Sequence, residues 1–134
     1  MTKITLEKIA RTYRNNGQHA EQMFRYTMNG KIEKADNRPA TECADCNGYQ
    51  VKSARATICK GEDIAKHLEN DKATGYAYIN ADCSTAYLMT KAEYLEFATE
   101  FATLTRESSK NGGAIKLRFK TESKAMVEWL EGRV

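Results

Sequence analysis

Apolar residues recur at helical spacing through Leu6, Ile9, Ala10 and Tyr13, behind a Thr5 that can cap a helix, and Asn15-Asn16-Gly17 stops the pattern. A second helical pattern covers 18–28, with Ala20, Met23 and Phe24 on one face and Asn29-Gly30 at its end. Residues 31–35 suit a short strand and 36–39 a turn. Two strand-like runs, 41–46 and 49–59, then flank Asn47-Gly48. Asn-Gly between such runs predicts a hairpin, because both turn positions need positive φ. With a two-residue loop, Asp45 faces Gln50, and Gln50, Lys52 and Ala54 share a face with Asp45 and Cys43, while Val51 points the other way.

Beyond the hairpin, a helix is expected from Gly61 through Ile64, Ala65 and Leu68 to about Asn70. Strands are expected at 75–79 and, after a polar break at 80–85, at 86–89. Thr90 with Glu93 forms a capping-box pattern ahead of a stripe of Tyr94, Leu95, Phe97, Ala98, Phe101 and Leu104. Residues 108–113 read as a loop. Ile115, Leu117 and Phe119 alternate with Lys116, Arg118 and Lys120, as in a half-buried strand. Ser123 caps a last helix carrying Met126, Val127 and Leu130, and Gly132 ends it. The expected fold is α/β (α+β): a small mixed sheet that starts with a hairpin and is flanked by helices.

Composition narrows this little. The chain has 134 residues, which suits one domain spanning 1–134. Hydrophobic residues make up 41%, enough for a core, and a single proline argues against linkers. No apolar run approaches the ~20 residues of a membrane span. The first residues lack an apolar signal core, so the expected location is cytoplasmic. A net charge of +3 permits a polyanionic partner and argues against an acidic DNA mimic.

Four cysteines, Cys43, Cys46, Cys59 and Cys83, are expected to stay reduced. Cys43-Ala44-Asp45-Cys46 has the spacing of one zinc knuckle, but Cys59, His67 and Cys83 form no second pair. No stoichiometric zinc is expected. The aromatics fall mostly at core periodicity and read as packing.

The chemistry-bearing pattern is Asp45 with Gln50-Val51-Lys52. Metal-assisted phosphodiester hydrolysis needs hard oxygen ligands for Mg²⁺ or Mn²⁺ and a nearby ammonium to orient water or offset developing charge. An aspartate facing an oxygen donor, with a lysine two residues on, supplies that set. The bland alternative is an exposed polar strand face. Arg55, Lys110, Lys116 and Arg118 are candidate phosphate contacts, although a charged stripe opposite an apolar one is commonly only a solvated strand face.

These residues resemble the PD-(D/E)xK superfamily, which includes restriction endonucleases and junction resolvases. In that resemblance Glu21 looks like the early helix glutamate, Asp45 (or Asp36) like the strand aspartate, Gln50 stands at the (D/E) position and Lys52 at the lysine. It covers about 18–104 and implies a restriction-endonuclease-like core. It also implies magnesium-dependent cleavage of DNA, with Asp45, Gln50 or Asp36 as metal ligands and Lys52 beside the attacking water. Gln50 replaces an acid, so metal affinity should fall, and the Asp45–Gln50 spacing is short for the family. The resemblance equally admits a non-catalytic module on the same fold that binds nucleic acid or a protein, such as a phage or mobile-element accessory protein. A chain this short would hold both DNA strands best as a homodimer.

Overall fold

The computed structural model describes residues 1–10, 16–28, 48–61, 63–119 and 121–134. Within them lie seven strands, four α-helices and a short 3₁₀ turn at Ser109–Asn111. The strands are β1 (Thr2–Thr5), β2 (Tyr49–Ser53), β3 (Thr57–Lys60), β4 (Gly75–Ile79), β5 (Thr85–Met89), β6 (Thr103–Arg106) and β7 (Ile115–Arg118). The helices are α1 (Asn16–Met28), α2 (Ile64–Asn70), α3 (Lys91–Phe101) and α4 (Lys124–Glu131).

The strands form two sheets, where one was expected. One is mixed, in the order β1-β5-β4-β2, and the other is β3-β7-β6. In the first, β4 and β5 are antiparallel, β1 is antiparallel to β5, and β2 runs parallel to β4. The second is antiparallel throughout.

Alternation along β4 assigns the two faces of the mixed sheet. Ala77 and Ile79 pack with Ala86 of β5 against Ala20, Met23 and Phe24 of α1, and Leu6 closes this cluster. Tyr76 and Tyr78 point the other way, into the larger core with Tyr87, Met89, Tyr94, Phe97, Met126 and Leu130. Ile58 of β3 and Phe119 bring the second sheet onto that same side. Phe97 is the hub, its ring 4.9 Å from Phe119, 5.1 Å from Tyr78 and 5.5 Å from Trp129. These arrangements suit the aromatic quadrupole, which disfavours a face-to-face sandwich.

Side-chain caps set the starts of three helices. Asp63 accepts from the Lys66 amide at 2.9 Å and caps α2. At α3 Thr90 and Glu93 exchange both bonds of a capping box, and Ser123 caps α4.

Three expectations fail. The helix read behind Thr5 is absent over 6–10, and Thr2–Thr5 is instead a strand that pairs Ile4 with Ala86. A free edge on β5 satisfies this backbone, and Leu6 still reaches the core, 4% exposed. The run 49–59 is two strands, broken at a turn in which the Ala56 amide bonds the Ser53 carbonyl at 3.0 Å. Arg55 at that turn has φ 70°, so the chain leaves one sheet and enters the other. Leu104 does not extend the α3 stripe: it lies on β6, paired with Leu117, and is 54% exposed. The expected first hairpin arm at 41–46, the short strand at 31–35 and the turn at 36–39 lie outside the described residues.

Candidate nucleic-acid interface

Strand alternation decides where Gln50 and Lys52 point. Tyr49 and Val51 pack toward α1, and the Tyr49 ring meets Phe24 edge-on at 6.2 Å. Gln50 and Lys52 therefore occupy the opposite face, opposite Tyr76 and Tyr78 in the parallel register. Gly75 makes this close pairing possible. A Cβ there would sit 2.5 Å from the Met89 carbonyl oxygen and 2.8 Å from the Tyr49 ring.

Lys52 is half-buried, and its Nζ donates to the Thr57 carbonyl at 3.3 Å. Burial holds its pKa below the usual lysine value, while the Asp71 carboxylate and, after it, Cys59 act to raise it. Cys59 is 3% exposed, its thiol donates to the Gly61 carbonyl at 3.4 Å, and burial pushes its pKa up.

Asp71 closes α2 and lies close enough for Lys52 to feel its charge. Burial pushes its pKa up, but the Tyr76 hydroxyl, the Ala73 amide, His67 and Lys91 more than offset this and hold it below the ordinary value. Asp71 is thus an ionised carboxylate, fixed by Tyr76 through one oxygen and by Ala73 through the other. Nothing in the local sequence marks Asp71 as a neighbour of Lys52, because α2 and a sheet crossover separate them.

Lys52 lines a cavity of about 380 Å³ at the carboxyl end of β2. Gly17 from the first turn of α1, Ser53, Arg55 and Thr57 share the lining. Among the described residues the lining carries two cations, Lys52 and Arg55, and no carboxylate. Arg55 is exposed at the turn tip, held in the left-handed region by the Ser53–Ala56 bond. Such a cavity can hold an anion by charge and by donors from lysine, arginine and serine.

The other sequence candidates are scattered. Glu21 lies one helical turn beyond Gly17 on α1, half-buried and outside the cavity lining. Lys116 pairs with Glu107, and Arg118 on the same strand is half-buried. Lys110 is exposed on the 3₁₀ turn. Asp36, Asp45, Cys43 and Cys46 lie outside the described residues. Among the described residues no three His, Cys, Asp or Glu side chains converge. Mg²⁺ favours several hard oxygens, and beside Lys52 the strand offers the Gln50 amide. The described residues do not by themselves compose a Mg²⁺ site. No helix among them is long and apolar enough to cross a membrane.

Searches of protein-family models, curated proteins and solved structures found no match to this chain.

Proposed function

We propose that this chain binds DNA and seats a backbone phosphate in the cavity at Lys52 and Arg55. The observation that carries the reading is the pairing of two cations, Lys52 and Arg55, with a serine among the described lining residues, at the carboxyl end of a strand that runs parallel to its neighbour. Ligands of open α/β sheets commonly bind outside the carboxyl ends of parallel strands. A phosphate there meets the Lys52 ammonium from the sheet and the Arg55 guanidinium from the turn. Arg55 is exposed and can form the bidentate pair that suits phosphate. The test is fluorescence anisotropy with labelled single-stranded and duplex DNA. Lys52→Ala and Arg55→Ala should each weaken binding about 10-fold, with unchanged circular dichroism. Binding equal to the parent's in both variants would refute the reading.

A second reading adds hydrolysis. It is favoured by the Gln50–Lys52 spacing on one strand face and by a half-buried amine where a surface contact would do. It needs a carboxylate from Asp45 or Asp36, and a Mg²⁺ or Mn²⁺ ion would then supply the Lewis acid and the activated water. Linear, branched and single-stranded DNA incubated with either metal test it. Lack of cutting in every case, with Gln50→Glu also inactive, would leave binding alone.

A further inference from the structure

A second cavity, of about 530 Å³, lies between the end of β3 and α2. Its charged lining is Lys60, Asp63, Lys66, His67 and Asp71. Among the described residues these groups are not equally available. Asp63 accepts from the Lys66 amide as the α2 cap. Asp71 accepts from the Tyr76 hydroxyl and the Ala73 amide. Lys60 and Lys66 are both exposed, and among the described residues neither ammonium makes a hydrogen bond or ion pair. One oxygen of Asp63 and both oxygens of Asp71 are thus engaged within the fold, while the two ammonium groups are not.

The position relative to the first cavity matters equally. Thr57 lines the first and Lys60 the second, and both belong to β3. Three residues of strand span about 10 Å. Lys52 in the first cavity and Asp71 in the second are close enough to interact, so the two concavities lie together beside β3.

We propose that the cavity between β3 and α2 is a second phosphate subsite, in which Lys60 and Lys66 hold the backbone of a DNA strand that also seats a phosphate at Lys52 and Arg55. This rests on the DNA-binding reading above. The Asp63 and Asp71 carboxylates border the subsite and disfavour close approach on their side, which leaves the strand to cross along the lysine side.

The experiment is anisotropy of a fluorescein-labelled oligodeoxythymidine of about 15 nucleotides over a salt series, with the full chain. Each phosphate contact on a single strand contributes a slope of about 0.7 in log K against log salt. The Lys60→Ala/Lys66→Ala double variant should flatten the slope by about 1.4. Lys124→Ala, whose side chain is 91% exposed on α4, should leave it unchanged. If Arg55→Ala weakens binding and the double variant does not flatten the slope, the subsite is refuted and the first reading stands. If Arg55→Ala and Lys52→Ala are also silent, both fall. A slope change in Lys124→Ala as large as half that of the double variant would reduce the effect to overall charge and refute the subsite.

Discussion

Lys52 donates its Nζ proton to the Thr57 carbonyl at 3.3 Å, a bond that ties β2 of one sheet to the first residue of β3 in the other. The amine is thereby held at the junction of the two sheets. Its companion Arg55 lies in the turn between them, so one short segment supplies both cations of the cavity.

That placement predicts a separation of binding from stability at Lys52. The ammonium is desolvated, so its charged form is disfavoured in the folded state. Lys52→Met loses one bond to a carbonyl and relieves that desolvation, and stability should change by less than about 1 kcal/mol. A folded pKa below the unfolded one means the unfolded chain binds more protons at alkaline pH. Parent stability should therefore rise with pH as the unfolded lysine value is approached, and Lys52→Met should lack this increment. Urea melts of both proteins from neutral to alkaline pH test the sign.

Two buried tyrosines should respond oppositely to losing a hydroxyl. Tyr78 donates to Glu122 at 2.6 Å, and that carboxylate also accepts from the Ala81 amide at 3.1 Å. Tyr78→Phe should cost about 1–2 kcal/mol in urea denaturation. Tyr94 is fully buried, stacked 4.2 Å from Tyr76, and its hydroxyl has no hydrogen-bond partner among the described residues. Tyr94→Phe should be neutral or stabilise by up to about 1 kcal/mol. A clear loss in Tyr94→Phe would mean that this hydroxyl is bonded in solution.

Asp71 should contribute to acid sensitivity. Its folded pKa is lowered, so its contribution is present above the unfolded value near 3.8 and is lost as pH falls through the lower folded value. Asp71→Asn should melt below the parent at neutral pH, and the two should converge as pH falls through the folded Asp71 value. A constant gap across that range would show that the loss is steric.

Gly75→Ala should be among the more damaging single changes. The added methyl meets the Met89 backbone and the Tyr49 ring, and neither can retreat without disturbing β4's pairing. A loss of about 1–3 kcal/mol is expected from thermal melts.

Much of this architecture was legible along the chain. Capping at Thr90 and Ser123, the alternation of 115–119 and the helical stripe of α1 are local patterns, and local hydrogen bonds and periodicity are enough to realise them. The face shared by Gln50 and Lys52 also follows from alternation alone. Long-range partners decided the rest. The edge of β5 turned Thr2–Thr5 into a strand, and the edge of β7 drew Thr103–Arg106 out of the α3 pattern. A left-handed Arg55 divided one strand-like run between two sheets. Asp71 came to Lys52 only through the α2 crossover. Pairing edges and crossovers join residues far apart in the chain, so no window of sequence contains the free energy that selects them.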